Sequence, residues 1–401
     1  MPSFSRRDFL LVAGAAGAAV LAARFGLDWF LNNRTPSVLP TPETPMPSKS
    51  PSLVFASGYA AADQAGIHAF MFDETSGTLT PRGSFAGILN PSFIVVHPNG
   101  RWLYAVSETS ANDGVPGGVC ALSFEREPFA LKLLNRQPSG GDWPCHLQLD
   151  ATSRWLFVAN YGTGSASVYP IQEDGSLGEM SDHVQHSGSG PNKSRQEGPH
   201  AHSVTLSPDN QYALVADLGL DQIVIYKFDA DAGKLSRQGE ATTRPGAGPR
   251  HLAFHPNGQW LYVSNELDNT VTLFDYAAGT LRERQSLSSL PPGAPESGLA
   301  DIHISASGQR VYASNRGHNS LAVYDIGSDG LMTLVSIPDC GGNWPRNFAL
   351  TSDDKFVLVA NQYSNEVCVL PIVAGAEAIG ATVARVPVAG ASCLKFACDD
   401  E

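Results

Sequence analysis

Phe93-Ile94-Val95-Val96-His97-Pro98-Asn99-Gly100-Arg101-Trp102-Leu103-Tyr104-Ala105-Val106-Ser107 returns in altered form as Leu252-Ala253-Phe254-His255-Pro256-Asn257-Gly258-Gln259-Trp260-Leu261-Tyr262-Val263-Ser264-Asn265. In both stretches an apolar run ends in His-Pro-Asn-Gly, and an aromatic residue opens a second apolar run soon after. Pro-Asn-Gly presets a tight turn. The flanking runs are short and rich in β-branched and aromatic residues, so they read as two strands of a hairpin rather than as helix.

Outward from these two copies, the second strand recurs at Trp155–Asn160, Tyr212–Asp217, Arg310–Asn315 and Phe356–Asn361, with a fainter copy at Leu53–Gly58. The spacing of roughly 50 residues is that of propeller blades. Third strands that alternate as half-buried strands should follow at Gln222–Tyr226 and Ser320–Tyr324, and turns at 277–281 and 325–331 lead to a fourth. Ser392–Ala397 is a first strand with no second strand after it, and Leu53–Gly58 is a second strand with no predecessor. The two ends complete one blade between them and leave no long exposed edge. The expectation is an all-β, seven-bladed β-propeller closed by pairing its N- and C-terminal strands.

Composition agrees. Of 401 residues, 42% are hydrophobic, only 16% are charged, and 39 Gly and 28 Pro punctuate the chain, which excludes disorder, a coiled coil and a helical bundle. A net charge of −13, from 39 acidic and 26 basic side chains, repels polyphosphate and argues against a nucleic-acid partner, while a small anionic ligand remains compatible. Ser5-Arg6-Arg7-Asp8-Phe9-Leu10 sets twin arginines before an apolar run that is too short to span a bilayer. It resembles a bacterial twin-arginine export signal. Residues 1–33 are therefore read as that signal or a retained membrane anchor, 34–51 as a Pro-rich linker, and 52–399 as the propeller. The expected protein is an exported monomer, periplasmic or at the cell surface. Six cysteines in an oxidising compartment allow disulfides without fixing their pairing, and no Cys-x-x-Cys suggests zinc.

The blades serve as controls for one another: what recurs serves the blade, and what is peculiar to one or two is a candidate for chemistry. Asn160, Asn265, Asn315 and Asn361, with Asp217 as stand-in, recur and read as turn caps. The aromatics at 102, 155, 212, 260 and 356 read as packing, and His97 and His255 as turn residues. Two positions vary instead. One follows the recurring Asn and carries Glu108, Tyr161, Leu218, Glu266, Arg316 and Gln362; the other is the first-strand entrance, which carries Ser92, Cys145, His202, Arg250, Ala300, Arg346 and Ser392. The residue after the entrance adds His146, His251 and Asp301. First strands line the central channel, so Arg250, Arg316, Arg346, Glu108, Glu266, Asp301, His146, His200, His202, His251 and His303 are expected to meet at one mouth. Arginines in an acidic protein suggest a grip on carboxylate or phosphate, and Glu266 with the histidines supplies groups that move protons near neutral pH. The bland reading makes Arg250–Glu266 and Arg316–Asp301 simple ion pairs of the channel wall. His200-Ala201-His202 sets two imidazoles on one face of an extended segment. Together with a possible ring of Glu108, Glu266 and the recurring Asn, it leaves room for a divalent cation, and no other cofactor is expected.

Gly198-Pro199-His200-Ala201-His202-Ser203, Gly248-Pro249-Arg250-His251 with Asn265-Glu266-Leu267, Ala300-Asp301-Ile302-His303 with Asn315-Arg316-Gly317, and Pro345-Arg346-Asn347-Phe348 resemble the seven-bladed lactonases of the 6-phosphogluconolactonase type. The resemblance covers about residues 52–398 and extends to the fungal carboxy-muconate lactonizing enzymes. Their His, two Arg and Glu would fall on His200 or His202, on Arg250 and Arg316, and on Glu266. It implies hydrolysis of a small anionic sugar lactone, with Glu266 or one of those histidines as base for the water. Arg250 and Arg316 would hold the anion, and Arg346, His251, Asp301, His146, His303 and Glu108 would line the substrate site. A muconate-type lactonizing cycloisomerase and a non-catalytic exported binding platform are the alternatives. No Gly-x-Ser-x-Gly elbow offers a serine nucleophile.

Overall fold

The computed structural model describes residues 52–397 apart from 296, 376 and 377. The export signal, the linker and Cys398 lie outside the described residues. Seven four-stranded antiparallel sheets form the propeller. In blade 1 the strand Ala391–Phe396 lies innermost and pairs with Ser52–Gly58, Val54 facing Phe396 and Ala56 facing Leu394, so the two ends of the chain close one sheet. Blades 2 to 7 begin at the inner strands Ile94–Val96, Pro144–Leu149, Ala201–Leu206, Pro249–Phe254, Gly298–Ile304 and Pro345–Leu350.

Each second strand is packed on both faces, because neighbouring blades stack against it. Leu103, Tyr104, Ala105 and Val106 are fully buried, as are Val357, Leu358, Val359 and Ala360. This is why these strands read as unbroken apolar runs, whereas an outer strand such as Thr280–Ser288 is exposed along most of its length. The recurring aromatics pack between blades. A left-handed glycine in the last hairpin of one blade sits on the ring of the blade before it, Gly175 on Trp102 and Gly233 on Trp155, and a Cβ on Gly233 would come within 2.2 Å of that indole. His97 and His255 tie their turns to the following blade through the carbonyls of Ser153 (3.2 Å) and Gly308 (2.9 Å). The recurring asparagines turn inward to their own loops: the Asn160 amide donates to Ser139 O, and the Asn265 amide to the hydroxyls of Thr270 and Thr272. Cys120, Cys145, Cys340, Cys368 and Cys393 are buried free thiols.

One irregularity positions the site. The inner strands slip register at equivalent places, between Pro144 and His146, Ala201 and Ser203, Pro249 and His251, and Pro345 and Asn347, with a wider slip from Leu299 to Ile302. A bulge sets two consecutive residues against one partner and re-aims their side chains. Arg250 with His251 and Arg346 with Asn347 consequently both face the channel.

Candidate active site

A second device aims the residue that follows each second strand. Its backbone N–H binds the carbonyl two residues before the first-strand entrance: Glu108 to Asn90 (3.0 Å), Tyr161 to Trp143 (3.0 Å), Glu266 to Gly248 (2.7 Å), Gln362 to Trp344 (3.0 Å) and, in the closing blade, Tyr59 to Gly390 (3.1 Å). These side chains thereby ring one mouth of the channel, above the bulged residues.

Glu266 sits at the centre of this ring. Its Oε2 accepts from Arg250 Nε at 2.9 Å and lies 2.8 Å from an Arg316 terminal nitrogen, while its Oε1 accepts from Arg195 at 2.6 Å. His202 Nε2 stands 3.9 Å from Oε2. Arg346 lies 4.0 Å from Glu108 and 5.2 Å above the Tyr59 ring, and Glu108 accepts the Tyr59 hydroxyl at 2.8 Å. Arg195, Arg316, Arg346, His202, Glu108, Glu266, Cys145, Tyr161 and Trp143 wall a cavity of ≈ 220 Å³. With Arg250 beneath, four guanidiniums face two carboxylates, which leaves two positive charges unmatched. Burial alone would push the Glu266 carboxyl up, but Arg316, Arg250 and Arg195 overrule it and hold it well below the usual carboxylate range. His202 is driven the other way: burial, reinforced by Arg250, His251, Arg346 and Arg316, keeps it neutral far below its ordinary titration range.

The expected single gathering is divided in two. Below a neck of ≈ 10 Å³ lined by Ser92, Cys145, Arg250, His251 and Arg346, room for about one water, a second cavity of ≈ 360 Å³ opens at the opposite mouth, lined by His146, His251, Asp301 and His303. Asp301 is held there by His251 Nδ1 (2.7 Å), His303 Nε2 (2.9 Å) and the Asn347 amide, so of the two ion pairs of the bland reading Arg250–Glu266 forms and Arg316–Asp301 does not, Arg316 meeting Glu266 instead. The remaining His251 nitrogen faces Arg250 at 3.3 Å, and burial with the Arg250 charge lowers the His251 pKa to about 4. Arg250 is 2% exposed and lines the neck rather than the upper cavity, so it grips Glu266 from below. His200 stacks on Tyr161 at 4.5 Å, outside the cavity wall, and parts from His202 because the bulge falls between them.

A divalent cation would require several converging oxygen donors. The Asn160 and Asn265 amide nitrogens bond within the propeller loops and no carboxylate joins their side-chain oxygens in a cluster, while Glu108 accepts hydroxyls from Tyr59 and Ser92 and Glu266 is saturated by guanidiniums. Among the described residues no three His, Cys, Asp or Glu gather in metal-holding geometry. The residues do not fit a resident metal, and no step is derived through one.

The chain matches the family model for seven-bladed β-propeller lactonases over residues 53–396. It belongs to that lactonase family. A 6-phosphogluconolactonase of Bacillus subtilis is 34% identical over 308 residues, 76% of this chain and 86% of the relative, and one of Formosa agariphila is 35% identical over 310 residues, 76% of this chain and 87% of the relative. The solved structure of a periplasmic gluconolactonase from Pseudomonas aeruginosa superposes with a TM-score of 0.82 at 30% identity, covering 87% of this chain and 99% of that one.

Arg195, Cys145 and Trp143 of this lactonase's cavity, and Tyr59 beside it against Glu108 and Arg346, are not among the candidates that the sequence singles out. Tyr59 occupies the position after the second strand in the faint first copy, and extending the comparison to that blade finds it. Arg195 comes from the loop between Asp182–Gln185 and Ala201–Leu206, which no other blade matches. Cys145 is visible at the entrance position but carries no charge to mark it. Trp143 precedes the bulge in Gly140-Gly141-Asp142-Trp143-Pro144, a pattern repeated as Gly341-Gly342-Asn343-Trp344-Pro345.

Proposed function

We propose that the upper cavity hydrolyses the lactone of a small acidic sugar. The observation that carries this reading is an ionised Glu266 clasped by three arginines, with a neutral His202 at 3.9 Å, in a cavity whose charges leave two positives unmatched. Arg195, Arg316 and Arg346 face the cavity and receive the acid group of the substrate. One of them also meets the carbonyl oxygen as it becomes an oxyanion, an interaction worth about 3 kcal/mol per donor. His202 takes a proton from water as the water oxygen bonds to the ring carbonyl carbon, and Glu266 stabilises the imidazolium that forms. When the tetrahedral intermediate collapses, the bond from carbon to ring oxygen breaks and that proton passes to the departing alkoxide. An entering anion offsets the arginines that depress His202, so the bound complex raises its basicity when it is needed. Arg250 and, behind it, His251 and Asp301 hold Glu266 in place.

Export fits the same reading. The twin arginines at Arg6 and Arg7 support secretion, and the similarity to a periplasmic gluconolactonase is compatible with a periplasmic substrate.

A pH-stat assay tests the activity with δ-gluconolactone, its 6-phosphate and a muconolactone, with and without chelator. Acid release from the sugar lactones, a lower KM for the phosphorylated one and indifference to chelator are expected. Turnover of muconolactone alone would favour the lactonizing cycloisomerase, and no turnover of any lactone would favour a binding platform.

A further inference from the structure

The position two residues before the first-strand entrance carries Gly390, Asn90, Trp143, His200, Gly248, Gly298 and Trp344 around the ring. In five of these blades the backbone there is left-handed, with φ of 55° at Gly390, 49° at Asn90, 65° at Gly248, 50° at Trp143 and 69° at Trp344. Glycine and asparagine adopt this conformation readily, whereas a bulky aromatic pays strain for it, more so before proline. The blade itself is served by glycine, so two tryptophans here call for another purpose. Trp344 has one on view: its ring stacks on Tyr363 at 4.6 Å and lies under the Arg316 guanidinium at 5.6 Å, which steadies a cavity arginine.

Trp143 stands differently. It is 42% exposed and separates two contiguous pockets. On one side is the arginine-lined cavity. On the other is a pocket of ≈ 300 Å³ formed with Tyr59, Asn90, Thr109, Asp113 and Val115, and Glu108 borders both. This second pocket holds two carboxylates and no basic side chain among its lining residues. It repels the phosphate or carboxylate that the first cavity attracts. An aromatic face beside hydroxyl, amide and carboxylate groups suits a neutral polyol ring, whose C–H face lies on the indole while its hydroxyls donate to Asp113 and Glu108.

We infer that the pocket beyond Trp143 is a glycosyl subsite, so that the preferred substrate class is a lactone bearing a second, neutral sugar. Glu108 and Trp143 belong to both pockets, which places the linkage between the two sugars at their shared edge. The inference rests on the lactonase reading of the arginine cavity but is tested separately from it.

The test compares kcat/KM for lactobionolactone and maltobionolactone with that for δ-gluconolactone, in the wild type, Trp143→Asn, Trp143→Phe and Val115→Trp. Asparagine keeps the left-handed backbone and removes the ring. Wild type is expected to prefer the disaccharide lactones, Trp143→Asn to cut that preference by about tenfold, in line with the loss of one ring-stacking contact, and Trp143→Phe to recover part of it. Val115→Trp, which fills the subsite, should pull the ratio toward one. No disaccharide preference in wild type, or an equal loss on both substrates in Trp143→Asn, overturns the subsite. Tryptophan-fluorescence titration with lactobionate and gluconate keeps the two readings apart. Tighter binding of lactobionate that is lost in Trp143→Asn supports the subsite even where no lactone is turned over, and equal affinities overturn it.

Discussion

Replacing Glu266 by Gln tests the centre of the site. The carboxylate touches Arg195, Arg250 and Arg316 at 2.6, 2.9 and 2.8 Å, and an amide of the same shape keeps the volume while deleting the charge. Four guanidiniums would then answer only to Glu108, whose nearest approach to any of them is 4.0 Å from Arg346. Removing one partner of a buried ion pair costs about 3–5 kcal/mol. In a domain of this size that lowers Tm by roughly 5 °C, because the entropy of unfolding grows with chain length. Turnover falls for a separate reason: the imidazolium of His202 loses its counter-charge, and kcat is expected to drop by about 10²–10³-fold. KM for the 6-phosphate should stay level or fall, since the freed guanidiniums are better anion hosts. Inorganic phosphate should therefore raise the Tm of the variant more than that of wild type. Differential scanning fluorimetry with and without phosphate, beside steady-state kinetics, reads all three effects. A variant with wild-type Tm and kcat would refute the clasp, and a raised KM at unchanged kcat would reduce Glu266 to a ligand for substrate hydroxyls.

Three further outcomes follow from the fold and charges. His251 binds a proton only near pH 4 when folded, against an ordinary value near 6.5. The unfolded chain thus takes up the proton first as pH falls, and between those values stability declines; urea midpoints should register a loss of roughly 2 kcal/mol from this one group between pH 7 and pH 5, and a flat profile would contradict its neutral burial. Gly58→Ala should sharply lower Tm or abolish soluble expression, because the new Cβ would lie 2.2 Å from the Ala389 carbonyl at the seam where the two ends of the chain pair; wild-type stability would show that this seam does not govern the ring. Replacing Arg6 and Arg7 together by Lys should shift lactonase activity from the periplasmic to the cytoplasmic fraction, and an unchanged distribution would remove the export reading.

The architecture was legible in the sequence because one unit repeats, and each second strand carries its own evidence. It is buried on both faces, so it appears as an unbroken apolar run between a turn and an Asn, and its seven copies confirm one another. The orphan strand at Ser392–Ala397 announced the closure for the same reason. Blade comparison also singled out Glu266, Arg316, Arg346 and His202, which the structure gathers around one cavity, since each departs in chemistry from its counterparts. It had no purchase on Arg195, whose loop has no counterpart in any other blade. It offered the Arg250–Glu266 pair only as the bland alternative and gave no sign that Arg195 and Arg316 share the same carboxylate, because ion-pair partners are chosen in space by converging loops rather than by spacing in the chain.

The histidines show where strand periodicity misleads. Residues two apart on a regular strand share a face, which joins His200 and His202 in one pair. The structure interrupts the strand: Ala201 faces Asp217, Ser203 faces Ala216, and His202 is the extra residue between them. The imidazoles separate, His200 onto the Tyr161 ring and His202 toward Glu266. The same slip in other blades lets an entrance residue and its successor both reach the channel, as Arg250 and His251 do. A regular strand would aim alternate residues into the neighbouring blade. The departure from regular pairing is therefore what allows a seven-bladed ring to set Arg250 and Arg346 at the neck, facing the carboxylates above, and its His–Asp network below it.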